Sequence, residues 1–416
     1  MGPARRRPVR DYLVLWLFLL SAVAFVDRTN LSIAGPAIQR ELGLDNVRLG
    51  WVFSAFLVGY AAFQVVGGWL AVRFGPRRVL AAGVVWWGVF TALTTMASPG
   101  LAHALLALIA IRFALGAGEA VVYPASNQFV AQWIPVPERG RANGWIFAGV
   151  GASGLCIPAL NWIVNSYGWR VSFWFCAAAG VLVGVGWYVL ARDVPEQHPK
   201  VGREEMELIQ ATRVAPALGS ANHGPSWREV LLNRNVGALS LSYFTFGYVA
   251  WIFFSWFFIY LAQVRGLNLK SSALYSILPF IGMTICCIGG GAISDAVTRR
   301  YGSRLGRSGI AVFSLCLTAV FLVVGSHAES ARAASLFLAG GAGALYLSQS
   351  SYWAVSADIA GLRSGVVSGV MNMACQIGGA ITASFTPWLA MHFGWNAAFQ
   401  FAAALAVVGA LSWLLV

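Results

Sequence analysis

GGWLAVRFGPRR, residues 67–78, and GGGAISDAVTRRYGSR, residues 289–304, are two versions of one pattern: small residues ending an apolar run, then a cluster of arginines. Gly68 and Gly291 lie 223 positions apart. The apolar regions around them, residues 12–192 and 236–416, are each 181 residues long and begin 224 apart. The repeat is therefore a half-chain, and the chain reads as a duplicated helical bundle. The glycines permit close helix contact, and the arginines mark where each helix leaves the apolar phase.

Outward from that pattern, the composition identifies the phase. Hydrophobic residues make up 58% of the chain and charged residues 10%, against about 25% charged in a soluble domain. Twelve runs are long and apolar enough to span a bilayer: 12–34, 49–71, 79–97, 101–123, 143–163, 171–191, 237–262, 273–294, 309–326, 333–353, 365–388 and 396–416. The expectation is an all-α integral membrane protein of twelve transmembrane helices in two pseudo-symmetric six-helix bundles. A tail over residues 1–11 precedes the first bundle, 12–192, and a linker over 193–235, rich in proline and charge, precedes the second, 236–416. Within that linker a short surface helix is expected over Arg203–Gln210. The first run carries Asp27 and Arg28 and no cleavage pattern, so it reads as a retained helix.

The net charge of +13 follows the loops rather than a nucleic-acid surface. With the N-terminus inside, the cytoplasmic segments hold 20 Lys and Arg and the opposite segments six, which orients both termini to the cytoplasm. The six cysteines lie in or beside apolar runs without metal-ligand spacing and read as packing residues. The aromatic stretch from Tyr243 to Tyr260 reads mostly as lipid-facing or interfacial.

Four charges lie inside the apolar runs: Asp27, Arg28, Arg112 and Glu119. Each ionised group at mid-bilayer costs roughly 2.5 to 3.5 kcal/mol on insertion scales, so such residues pair with one another and mark a substrate or proton path. Arg112 and Glu119 are seven apart, hence on one helix face. Deprotonated, the four sum to zero; protonating one acid leaves +1, matched to a monovalent carboxylate. Further polar groups able to read a substrate are Tyr60, Gln64, Tyr243, Ser350, Ser351, Trp353, Asn372 and Gln376.

The two opening motifs, with FVDRTNLSIAGPAI (25–38), WVFSAFLVGYAAFQVVGGWL (51–70), RFALGAGEAVVYP (112–124) and WIPVPERGRA (133–142), resemble the major facilitator superfamily, and within it the anion:cation symporters that include bacterial sugar-acid carriers. The resemblance covers essentially the whole chain. It implies a proton-coupled symporter that imports an organic anion, a sugar acid or related carboxylate, by alternating access across the bacterial inner membrane. The same resemblance gives Asp27 and Glu119 the proton-site role, has Arg28 hold the substrate carboxylate, and pairs Arg112 with the acids. Tyr60, Trp353 and Asn372 match substrate-contacting positions. Arg73, Arg77, Asp295 and Arg299 fall in the cytoplasmic gate motif, whose aspartate is replaced in the first copy by Val72. Phe25 and Gly149 stand where sugar-acid carriers have hydroxyl-reading groups, which points to a less hydroxylated ligand.

No cofactor or metal is expected beyond the coupling proton; the partners are a small organic anion and the lipid bilayer, and the functional unit is a monomer. An organic-anion exchanger, a facilitated carrier without proton coupling and a drug/proton antiporter stay open as alternatives. A membrane enzyme is disfavoured because all five histidines lie in loops or near helix ends and no nucleophile has a partner base.

Overall fold

A computed structural model describes residues 8–44, 46–99, 103–211, 230, 232–257, 260–267 and 269–416. Residues 1–7 of the tail, and 212–229 and 231 of the linker, lie outside the described residues. The described chain is helical. In order, the helices are α1 (Val9–Leu42), α2 (Asn46–Phe74), α3 (Pro76–Thr94), α4 (Ala104–Glu119), α5 (Val122–Trp133), α6 (Arg139–Ala152), α7 (Ile157–Tyr167) and α8 (Trp169–Leu190). They continue as α9 (Arg203–Ala211), α10 (Arg234–Ser255), α11 (Leu269–Tyr301), α12 (Ile310–His327), α13 (Ala331–Leu347), α14 (Gln349–Ala360) and α15 (Ser364–Ser412).

Each of the twelve apolar runs falls largely within these helices, and α9 lies where the linker helix was expected. Among the described residues, nine helices are long and apolar enough to cross a membrane. The count differs from the number of runs partly because α15 fuses two of them. Its 49 residues would reach about 74 Å as one rod at 1.5 Å per residue, but Gly394 takes φ +83°, and the helix breaks there.

Two compact units result, neither contiguous in sequence. Unit 1 holds α1 to α5, α7, α8 and α9 with residues 360–369; unit 2 holds residues 137–154, α10 to α14 and the chain from 370 onward. In unit 1, α2 packs on α4 and α3 on α8; in unit 2, α11 packs on α13 and α6. Glycines set the closest of these contacts. A Cβ on Gly116 would strike the Phe56 carbonyl, so α4 lies directly on α2. Gly291 likewise admits the Gly140 carbonyl, and Gly68 admits that of Gly365.

Two sequence expectations need correcting. The aromatic stretch is not mostly lipid-facing: Tyr243, Phe246, Tyr248, Phe253 and Phe257 are all at most 3% exposed, while Phe244, Trp251, Phe254 and Trp256 are half-buried. The reason is that α10 is an inner helix, whose phenols bond within the protein, Tyr248 to Thr386 at 2.9 Å for instance. Of the cysteines, Cys176, Cys287 and Cys375 are buried and Cys286 is half-buried, but Cys156 and Cys316 are exposed.

Three helices begin on carboxylates supplied from elsewhere in the chain. Glu205 of α9 accepts the Val9 and Arg10 amides of α1 at 3.0 and 3.1 Å. Asp193 accepts the Arg77 amide of α3 at 2.9 Å. Asp295 of α11 accepts the Gly140 and Arg141 amides of α6 at 2.9 and 2.6 Å. The first amides of a helix have no intrahelical acceptor, and its positive end favours an anion.

Candidate functional site

In unit 1, Asp27 and Arg28 project from α1 toward different neighbours because successive helical side chains are about 100° apart. Asp27 is 1% exposed, and Thr91 of α3 donates to its carboxylate, 3.1 Å from each oxygen. Arg28 reaches α4, where its Nε donates to Glu119 Oε1 at 2.6 Å. The Arg28 guanidinium carbon lies 4.2 Å from the Tyr60 ring centre and 4.5 Å from that of Phe25, with Phe56 at 5.2 Å. A planar, weakly hydrated guanidinium tolerates this aromatic enclosure more readily than an ammonium.

Arg112 sits two turns before Glu119 on the same face of α4, its guanidinium carbon 4.9 Å from the Phe56 ring centre. It is 2% exposed, and its Nε and Nη1 have no hydrogen-bond partner; the same holds for Arg28 Nη2 and Glu119 Oε2. The ion pair formed is thus Arg28–Glu119, and among the described residues Arg112 makes no ion pair with either acid. Guanidinium donors buried without acceptors are costly, and they are the groups an incoming carboxylate would satisfy. Gln64 lies one turn beyond Tyr60 on α2, fully buried. Asn30, which the sequence reading passed over, is fully buried one turn after Asp27 with neither amide atom bonded. Its only signal was its i+3 spacing from Asp27.

Unit 2 carries a second polar group. Gln349 Nε2 and Trp353 Nε1 of α14 donate to the Tyr243 hydroxyl of α10 at 2.8 and 3.0 Å. Both lone pairs of that oxygen are thereby used, so the phenolic proton points away from both partners. Ser350 and Ser351 are buried with their hydroxyls unbonded, and the Oε1 atoms of Gln349 and half-buried Gln376 are likewise unbonded. Asn372 is 3% exposed one turn before Gln376 on α15. The Trp353 ring lies 4.8 Å from that of Phe147 on α6.

The motif residues separate. Asp295 is 2% exposed and pairs with Arg307, not Arg299, at 2.7 Å. Arg299 is exposed and donates to the Pro137 carbonyl at 3.3 Å. Arg139 completes the set by bonding Asp358 at 2.7 Å, with Arg307 at 3.9 Å from the same carboxylate. Arg307, Arg139 and Asp358 were missed because their partners lie 12, 219 and 51 residues away, beyond any local spacing rule. Arg77 donates to the Tyr188 carbonyl of α8 at 2.8 Å, and Arg73 is exposed beside the Trp69 and Phe74 rings. Among the described residues no cluster of three His, Cys, Asp or Glu could hold a metal ion.

Comparisons with known proteins agree with this architecture. The chain is 32% identical to the probable sulfoacetate transporter SauU of Cupriavidus necator, over 99% of this chain and 95% of that one. It is 30% identical to the probable galactarate/D-glucarate transporter GudP of Escherichia coli, over 99% and 94%, and 28% identical to the hexuronate transporter of Bacillus subtilis, over 96% and 92%. Among solved structures, the proton:xylose symporter XylE superposes with a TM-score of 0.78 at 15% identity, covering 96% of this chain and 94% of that one. The Escherichia coli fucose:proton symporter FucP gives 0.72 at 15% identity over 97% of both chains; these two show the fold alone. The family model for the Major Facilitator Superfamily matches residues 17–383, and with an all-helical fold and relatives that are transporters rather than enzymes, this multi-pass membrane chain belongs to that superfamily.

Proposed function

We propose that the protein is a proton-coupled symporter that brings a short organic anion into a bacterial cell across the inner membrane by alternating access. In this reading it works as a monomer with twelve spans, both termini cytoplasmic and the halves 12–192 and 236–416 as its repeat. The observation that carries the reading is the Arg28–Glu119 pair at 2.6 Å, closed in by aromatic rings beside Arg112 nitrogens with no acceptor. One guanidinium edge serves either Glu119 or a cargo carboxylate. Protonating Glu119 removes the competitor, so proton and anion bind together, and the loaded cluster avoids moving a bare charge through low dielectric. Asp27, held by Thr91, is the second titrating group, with Arg112 as its counter-charge.

The cargo is small. Phe25 covers the Arg28 guanidinium where sugar-acid carriers have a hydroxyl-reading group, and Gly149 offers no side chain at all. Short, sparsely hydroxylated carboxylates or sulfonates fit these changes better than six-carbon sugar acids, and a relative named for sulfoacetate is in keeping with that. Tyr243 supplies an oriented donor to an acceptor oxygen, and Ser350, Trp353, Asn372, Gln376, Tyr60 and Gln64 are the remaining substrate contacts. Asp295, Arg299, Arg73 and Arg77 belong to the cytoplasmic gate.

Proteoliposomes test the reading. With an inward proton gradient, wild type should concentrate sulfoacetate or a related short acid above its external level, and collapsing the gradient should abolish concentration while leaving counterflow. Equal concentration without gradient or voltage would reject proton coupling in favour of exchange.

A further inference from the structure

Gly68 and Gly291 make equivalent contacts: each lies against a glycine carbonyl at the start of a helix from the other sequence half, Gly365 in unit 1 and Gly140 in unit 2. One turn after Gly291, Asp295 accepts two amides at the start of α6. One turn after Gly68 stands Val72, which has no acceptor to offer. The start of α15 is nevertheless capped. Gln128 of α5, 1% exposed, accepts the Gly365 amide on its Oε1 at 2.9 Å, and the buried Ser364 hydroxyl lies 3.3 Å from the same oxygen. Ser364 also donates to the Asn127 carbonyl at 3.1 Å.

We infer that Gln128 takes over the work of the aspartate missing at position 72, as the positioning residue that holds the start of α15 in unit 1. The two joints between the sequence halves then differ in kind. Asp295 brings a full charge, the buried Arg307 and, through Asp358, Arg139. Gln128 brings a neutral amide. Glu205 and Asp193 cap α1 and α3 with carboxylates, so of these four helix starts only that of α15 rests on an uncharged acceptor. A charged acceptor forms the stronger bond to a helix amide, and the joint at Gln128 is therefore the weaker of the two.

Amide hydrogen exchange reads the bond directly, in full-length protein in lipid nanodiscs, and is independent of the transport reading. Gln128→Ala should speed exchange of the peptide spanning 364–368 by about tenfold or more, with the 139–145 peptide unchanged as an internal control of folding. Gln128→Glu, which restores a carboxylate, should slow it below wild type. Adding Val72→Asp to Gln128→Ala should return protection, because the carboxylate then arises where the repeat places it. Unchanged exchange in Gln128→Ala would overturn the inference, as would failure of Val72→Asp to rescue while the control peptide stays protected.

Discussion

Replacing Glu119 by glutamine separates charge from shape at the Arg28 pair. The bond is a single Nε to Oε1 contact of 2.6 Å, with the Arg28 side chain 15% exposed and Glu119 1%. A hydrogen bond to a charged partner contributes about 1.5–3 kcal/mol net. Glutamine keeps an acceptor but no charge, so most of that energy no longer opposes an anion that seeks the same guanidinium. Converted at 1.4 kcal/mol per decade, the variant should bind its carboxylate about 10- to 150-fold more tightly than wild type at pH 8. At low pH the proposed protonation of Glu119 should make wild type converge on the variant. The assay is equilibrium binding of sulfoacetate and of short carboxylates to purified protein at pH 5.5 and pH 8, with proteoliposome uptake alongside. Tight, pH-independent binding with counterflow intact and gradient-driven concentration lost is the expected set. If Glu119→Gln binds no more tightly at pH 8 and retains the wild-type pH dependence, Glu119 does not compete with the cargo and the coupling argument is wrong.

Asp27→Asn should likewise remove gradient-driven concentration and spare exchange, whereas Thr91→Val, which deletes the hydroxyl held 3.1 Å from both Asp27 oxygens, should only shift the pH profile of uptake. Tyr243→Phe removes the phenolic donor and leaves the ring; a neutral hydrogen bond of about 0.5–1.5 kcal/mol predicts a Kd raised about 2- to 13-fold, together with a lowered melting temperature because the buried Gln349 and Trp353 donors lose their acceptor. Asp295→Ala takes from the fully buried Arg307 its nearest carboxylate, and breaking a buried pair in this way costs about 3–5 kcal/mol, visible as a melting point lowered by several degrees. His198, beside Tyr12 at 3.0 Å, is pushed below its usual range near 6.5 by burial, with Arg192 and Lys200 acting in the same direction. Its folded state favours the neutral ring, so the stability it contributes is present above about pH 6.5 and is lost as pH falls through the lowered value. Melting curves at pH 7.5 and 5 should show that loss in wild type and not in His198→Gln.

The fold was largely legible because membranes impose a simple grammar: long apolar runs must be helices, and all the runs are largely helical. Pairing was less legible. The cluster at Asp27, Arg28, Arg112 and Glu119 could be named because charge in an apolar run is conspicuous, but spacing on one helix cannot say which arginine reaches which acid. The structure puts Arg28 on Glu119 and leaves Arg112 with unbonded nitrogens. Asp295 shows the same limit, since Arg299 is one turn away in sequence and Arg307 is the partner in space. Composition also misled at α10, where aromatic richness resembles a lipid-facing belt until the phenols are seen to bond inward. Gln128 left no sequence signal of its own, because an amide in an apolar helix matters only through the backbone it meets.

The exchange of segments between the two units bears on biosynthesis. Residues 137–154 belong with helices made much later, and residues 360–369 belong with helices made first. A ribosome that has released only the first two hundred residues has made Arg139 but not Asp358, 219 positions later. Until translation has passed α11 and that aspartate, α6 has neither its packing partner nor this ion pair. Insertase retention and surveillance proteases act on such nascent intermediates, and variants that slow elongation between these positions should lower yield without altering any property of the mature carrier.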